Sequence, residues 1–392
     1  MYCLRQCVKW FPMLFLAVFL MMIAVGAHGA AESLKVPIRE IHKYGNTMLS
    51  MKGTDFLNSG FSYGDIVTVE INGVAYDMPV GSNYTDVDQG QMICRAEINP
   101  DTKEDNLILS INMGNMAQDI GLAEKEKTEE APGYVWHYRE GITEPVIVTI
   151  SMKEAGGYLD QYMIHQLVRS EKREDYPDLT DAEYANFREI TTTGMGKGVL
   201  YRTSSPVDPK INRNKAADQA MAEAGVKTIL NLVNNEEKMR GYEGYSESYY
   251  SAQNVIALDL DMNFVSEKFG AGFAEGLRFL MAHEGPYLIH CQEGKDRTGF
   301  VAAVLECFMG ATLDEVINDY MITFFNFYGV QPGTEQYDTI VKSNICRFLA
   351  IAFDVPDIHE ADLAAEAEEY LGAIGLSPEE IDQLRTKLGT VK

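Results

Sequence analysis

The 392-residue chain predicts a two-part molecule: an α/β domain with a mostly parallel sheet flanked by helices, preceded by a smaller β-rich barrel or sandwich. Three observations carry that expectation. From about residue 180 onward, short aliphatic and β-branched runs alternate with helix-length segments, the order expected of a parallel sheet covered on both faces. Between residues 33 and 151 the apolar runs are short, alternate with polar residues and are separated by Gly, Asn and Asp, which is the pattern of antiparallel strands. The charged stretch Ser170-Glu171-Lys172-Arg173-Glu174-Asp175-Tyr176-Pro177 lies between the two and reads as an exposed boundary.

In chain order, Arg5 and Lys9 precede an apolar run from Trp10 to Val25 and the small residues Ala27-His28-Gly29-Ala30. Residues 1–30 therefore read as a secretory signal, with an uncleaved anchor as the rival, and either reading places the body outside the cytosol, secreted or held at a membrane. Residues 31–157 form the β-rich part, with Asp65 to Tyr76 as a hairpin turning at Asn72-Gly73 and Leu107 to Asn112 as a further strand. Residues 158–179 are the linker, opening with a helix over 158–169, and residues 180–392 are the α/β domain. There, helices are expected over 216–224, 269–283 and from Thr312-Leu313-Asp314-Glu315 through Ile322, and strands over 228–233 and 255–258. The polar segment 234–253, with four tyrosines, is open to two readings, a lid over a cleft or a surface insertion.

A net charge of −25 becomes −27 when the two cations Arg5 and Lys9 leave with the signal, which argues against nucleic acid or an anionic membrane surface as partner. Of six cysteines, Cys3 and Cys7 fall in the leader, and Cys94, Cys291, Cys307 and Cys346 show no disulfide framework.

The informative segment is His290-Cys291-Gln292-Glu293-Gly294-Lys295-Asp296-Arg297-Thr298. The apolar run 286–289 before it reads as a buried strand, and residues 298–309 after it as a helix stopped by Gly310. A tight loop between strand and helix aims its own N–H groups, and those of the helix's first turn, at one point where the helix dipole adds positive potential. An anion of phosphate size fits that point, and a thiolate is favoured there, so Cys291 reads as a nucleophile. Arg297 supplies a planar fork for phosphoryl oxygens, Thr298 a hydroxyl for the departing sulfur, Gly294 a left-handed turn, and His290 support for the cysteine from behind. Residues 292–297 together form the phosphate-binding loop, with Lys295 open to a substrate carboxylate or a second phosphate. Nothing in this chemistry calls for a metal or a cofactor.

Cysteine, arginine and hydroxyl at this spacing resemble the Cys-x5-Arg-Ser/Thr signature of the protein tyrosine phosphatase superfamily. The form His-Cys-x-x-Gly-Lys-Asp-Arg-Thr-Gly, met by residues 290–299, is similar to its bacterial branch of atypical tyrosine and dual-specificity phosphatases. Leu200-Tyr201-Arg202-Thr203-Ser204, Asn186-Phe187-Arg188 and Asp319-Tyr320 resemble further segments of that branch, with Arg202 in a supporting place. Asn231 and Glu293 depart from it, standing where many relatives carry aspartate and alanine. A carboxylate at Glu293 is expected to repel highly anionic substrates, which weighs against phosphoinositides. Tyr44-Gly45-Asn46 and residues 112–117 resemble the C-terminal barrel of adenosylmethionine-hydroxide adenosyltransferases, whose catalytic half is absent.

The resemblance implies a phosphatase acting on phosphomonoesters, phosphotyrosine first, with dual specificity as an extension. A phosphorylated peptide or small phosphoester is the expected partner. Two alternatives stand beside it, a cysteine-type inositol-phosphate phosphatase and a binding module without turnover. Three carboxyls compete to protonate the leaving oxygen. Asp296 lies in the loop and is preferred; Asp259 and Asp261 follow the strand at 255–258, where a mobile acid loop is common in such enzymes.

Overall fold

The computed structural model describes residues 33–389 apart from Gln89, Pro100, Asp101 and Glu130. The expected signal at residues 1–30 lies outside them. Among the described residues no helix is long and apolar enough to cross a membrane.

The first unit is a closed seven-stranded barrel. Its strands are β1 (Leu34–Ile41), β2 (Thr47–Leu49), β3 (Ile66–Ile71), β4 (Val74–Gly81), β5 (Met92–Ile98), β6 (Asp105–Ile111) and β9 (Ile147–Glu154), in the order β1-β2-β6-β5-β4-β3-β9. A separate hairpin pairs β7 (Ala123–Lys127) with β8 (Tyr134–Tyr138). The alternation in β3 sends Val67, Val69 and Ile71 inward, where they pack with Val80, Leu109 and Ile150. The β3–β4 turn falls at Asn72-Gly73 as expected, both residues taking the left-handed backbone that a two-residue hairpin loop requires. Of the two forms the sequence left open, it is the barrel that forms.

The second unit is a five-stranded sheet of β10 (Arg188–Glu189), β11 (Leu200–Thr203), β12 (Thr228–Asn231), β13 (Asn254–Ala257) and β14 (Tyr287–His290), ordered β10-β11-β14-β12-β13. All pairs are parallel except β10 with β11. Every residue of the central β14 is buried, which is why it reads as an unbroken apolar run. The helix Asp296–Met309 follows it, is buried on nearly all sides, and stops at left-handed Gly310. Thr312 and Glu315 form the expected capping box, and their helix, Leu313–Tyr328, runs further than the apolar pattern indicated. The other expected helices form at Asn214–Glu223 and Glu267–Ala282.

Two expectations change. Segment 234–253 is no loose insertion: Tyr250 is fully buried and packs with Met239, Val226 and Leu288. Tyr242, Tyr245 and Tyr249 are half-buried against it. The stretch 170–177 is likewise no bare boundary. Arg173 donates to the carbonyls of Tyr176 and Leu179, each at 2.6 Å, and Tyr176 Oη donates to Phe327 O at 3.1 Å.

The linker helix, Leu159–His165, is tied on both sides. Toward the barrel, Tyr162 stacks on Tyr63 with ring centroids 5.4 Å apart, and Gln166 Nε2 donates to Asp86 Oδ1 at 2.9 Å. Toward the α/β unit, Gln161 Nε2 donates to Ser343 O at 2.8 Å and to Asn344 Oδ1 at 3.1 Å. Ser343 and Asn344 belong to a π-helical turn, Val341–Cys346, whose wider winding alters the usual helical hydrogen bonding there.

Candidate active site

The loop after β14 is shaped by where its carbonyls go. Cys291 O meets His290 Nδ1 at 3.1 Å, Gln292 O accepts from Ser205 N at 3.0 Å, Glu293 O from Asn186 Nδ2 at 3.2 Å and Gly294 O from Arg202 Nη2 at 2.8 Å. Each peptide plane is thereby turned carbonyl-outward. The N–H groups of Gln292, Glu293, Gly294 and Lys295 have no protein acceptor among the described residues. Buried backbone donors are almost always paired, so four free ones in succession form a cradle for an anion. Gly294 has φ +71°, and a Cβ there would come within 2.3 Å of Thr203 O, so only glycine closes the turn.

The scaffold behind the loop is buried and charged. Arg202 is fully buried, pairs with Asp319 and holds Gly294 O. Asp319 also takes Arg188 Nε at 2.7 Å, and Arg188 Nη1 donates to Asn186 Oδ1 at 2.7 Å. Burial opposes the charge on Asp319, but the two guanidinium groups outweigh it and hold the carboxyl far below its ordinary range.

On the strand side a neutral relay reaches the cysteine. Asn231 Nδ2 donates to Tyr250 Oη at 3.2 Å, and Tyr250 Oη lies 2.9 Å from His290 Nε2. Since His290 Nδ1 faces a carbonyl, it carries the proton, and Nε2 accepts from the tyrosine. Desolvation pushes His290 down to about 4, so it is neutral at ordinary pH. Asn231 Oδ1 meanwhile accepts from Val233 N and Asn234 N, both at 3.1 Å. An aspartate could make those two contacts but, ionised, could not donate to Tyr250, which accounts for asparagine at this position.

Cys291 is buried at the base of the cradle, and Thr298 Oγ1 is buried with no hydrogen-bond partner. Arg297 Nε donates to Asp261 O at 3.3 Å, and its two terminal nitrogens make no hydrogen bond among the described residues. The fork is thus pinned from one edge and free on the other.

The three candidate acids fall in different settings. The Asp296 carboxyl faces a cavity of about 360 Å³ together with Lys295, Glu293 and His165. Desolvation there raises it above its ordinary value, with Lys295 opposing and Glu293 and Asp88 assisting. Asp261 instead uses its carboxylate within its own loop, accepting from Asn263 N at 2.9 Å and Ser266 Oγ at 3.3 Å, and meets Arg297 only through its carbonyl. Asp259 is exposed, with left-handed backbone at φ +47°.

Glu293 does not stand bare in the loop. Arg169, in the linker beyond its helix, pairs with its carboxylate at 2.8 Å, Lys295 lies at 3.5 Å and Tyr328 Oη donates at 3.3 Å. Burial alone would raise this carboxyl, but Lys295 and Arg169 outweigh it and keep it below its usual range. The expected repulsion of anions is therefore offset by cations already in place. Lys295 also contacts Asp296, at 3.7 Å, and lies over the Phe324 and Tyr328 rings.

Several of these residues were not assigned roles from the sequence. Asn186, Arg188 and Asp319 lay in segments that carried the family resemblance, which was their only signal. Arg169, His165 and Asp88 had none, because a basic or polar residue at a helix end ordinarily reads as a solvated one. Cys94, Cys307 and Cys346 are buried free thiols, and burial pushes the Cys94 thiol up to about 12.

A parallel sheet ending in a cradle of free amides, with a cysteine at its base and an arginine fork at its rim, defines an α/β protein of the Cys-x5-Arg phosphate-loop class. Residues 181–390 match the model of the tyrosine phosphatase family, and the chain belongs to that family of phosphoric monoester hydrolases. A tyrosine-protein phosphatase of Nostoc commune is 33% identical over 128 residues, a match covering 29% of this chain and 42% of that protein. The crystal structure of TpbA from P. aeruginosa is 20% identical, covering 52% of this chain and 91% of TpbA with a TM-score of 0.27. The core catalytic domain of the PP-IP phosphatase SIW14 from S. cerevisiae is 17% identical, covering 43% of this chain and 91% of that one with a TM-score of 0.26.

Proposed function

We propose that the chain is an extracytoplasmic, cysteine-dependent phosphatase that hydrolyses phosphomonoesters, phosphotyrosine foremost. The observation that carries this reading is the row of outward-bonded carbonyls around Cys291, which leaves successive amides free to hold three phosphoryl oxygens. Cys291 Sγ attacks phosphorus in line, and the bond to the leaving oxygen breaks as Asp296 gives that oxygen its proton. The amides of residues 292–297 and the free edge of Arg297 carry the charge spread over the equatorial oxygens. Water then attacks the cysteinyl phosphate, Asp296 takes its proton, and the sulfur leaves as thiolate with the Thr298 hydroxyl donating to it.

The raised carboxyl of Asp296 supports its place as the acid, since an acid must hold its proton near the working pH. The inward use of the Asp261 carboxylate leaves it the less suited of the two. Residues 1–30 are proposed to direct export, and residues 31–157 to act as an accessory domain fixed to the catalytic one by residues 158–179.

The test is phosphate release from a phosphotyrosine peptide in reducing buffer with chelator, beside Cys291→Ser. Turnover that survives the chelator and disappears in the variant is expected. A folded wild-type chain that retains the phosphopeptide without releasing phosphate would instead make it a binding module.

A further inference from the structure

The cavity at Asp296 does not end there. It adjoins a second of about 410 Å³, the two sharing Asp88, Gln161, Met262 and Phe348 as walls. One side is the catalytic unit and the other is the barrel rim with the linker helix. Neither domain alone encloses this groove.

The walls change character with distance from the loop. Near Asp296 they are charged, with Lys295, Glu293 and Arg169 already paired among themselves. Beyond Met262 they become apolar, and Val265 and Ile351 stay more than half exposed although they face the groove. The charged groups in this outer part are Asp88 and Arg347. Asp88 has a neighbour in His165 Nε2 at 3.9 Å. Arg347 is exposed and makes no ion pair among the described residues.

Resting on the phosphatase reading above, we infer that this groove between barrel and catalytic unit holds the peptide around a phosphotyrosine, with Arg347 pairing an acidic side chain of that peptide. The occupant follows from continuity with the loop: Glu293, Lys295 and Asp296 line the inner cavity, and the groove runs outward from them. Exposed apolar walls suit an aryl ring and aliphatic side chains. A single uncommitted cation at the outer end suits one carboxylate, and a polyphosphate would find only that one unpaired guanidinium among the described residues lining the groove beyond the loop. The barrel is thus a wall of the substrate site, and Arg347 is a specificity-determining residue.

The experiment compares kcat/KM of the full chain for a phosphotyrosine peptide flanked by glutamates and for the same peptide flanked by lysines. The readout is the ratio of the two, which is independent of the fraction of enzyme folded. At physiological salt, charges more than about 8 Å away are largely screened, so the ratio reports nearby groups rather than the overall acidity of the protein. The glutamate peptide is expected to be preferred, with Arg347→Gln lowering the ratio about threefold and Arg347→Glu about tenfold, the range for one exposed pair lost and then reversed. A ratio left unmoved by both variants overturns the inference while leaving the phosphatase reading intact. Failure of the wild-type chain to turn over either peptide or p-nitrophenyl phosphate overturns that reading, and the inference with it.

Discussion

In the barrel, β3 pairs on one side with β4 and on the other with β9, so its backbone groups are used within the closed sheet. In the catalytic sheet, β14 is buried along its whole length and paired on both sides by β11 and β12, but its ladder stops at His290 and the N–H groups of Gln292 to Lys295 have no acceptor among the described residues. The two regions share a strand chemistry and differ in what happens at the strand's end. A closed barrel leaves no free sheet edge, whereas a parallel strand entering a helix exposes amides at its carboxyl end. On the proposed reading, chemistry is confined to the second unit and the barrel takes part only through its rim.

The largest expected effect tests that confinement at the sulfur. Cys291→Ser should lower kcat by at least about 10⁴-fold without lowering the melting temperature, measured by phosphate release and thermal unfolding. If activity survives, the cradle is not where phosphorus reacts.

Asp296→Asn should lower kcat about 10²- to 10³-fold on an alkyl phosphate and less on an aryl phosphate, whose leaving group needs less help. Because the Asp296 carboxyl is raised above its ordinary value, its protonated fraction falls as pH rises, so wild-type kcat should decline on the alkaline side of that titration. The variant should lose this limb. A limb that persists would transfer the acid role to another group, with Asp259 the next to examine.

Removing the scaffold should affect stability and activity together. Arg202→Met strips one guanidinium from buried Asp319 and frees Gly294 O, and should cost about 3–5 kcal/mol in denaturant unfolding. A soluble, folded variant with unchanged kcat would mean that the carbonyl-outward geometry holds without it.

His290 gives a pH signature of about 3 kcal/mol. Its folded value is near 4 against an ordinary 6.5, so the unfolded chain binds more protons between those values. Stability should therefore be full above about pH 6.5 and fall as pH drops toward 4, and His290→Asn should lessen this dependence in unfolding titrations. The smallest effect is expected at the barrel seam. Gln166→Ala removes one bond to Asp86 and should cost about 1 kcal/mol, with a rise in KM for phosphopeptides larger than any change in kcat.

The catalytic segment was legible because it is contiguous: strand, cysteine, glycine, arginine and helix follow one another, and each residue type has a local reason to be there. The same holds for the Asn72-Gly73 hairpin and the Thr312 capping box. Segment 234–253 was harder to read because its tyrosines and glutamates look uniformly polar, when Tyr250 is core and the other three tyrosine rings pack half-buried against it.

The sequence by itself determined the two-part architecture, the phosphate loop and the residues that line it, since backbone geometry and side-chain chemistry within ten residues are local properties. Only the tertiary structure decided that Arg169 neutralises Glu293, that Asn231 and Tyr250 set the proton on His290, and that Asp88 and Arg347 face one groove. Those pairings join residues 19 to 259 positions apart. Their energies depend on desolvation and on distances of a few ångströms, which arise only once distant segments of the chain are packed together.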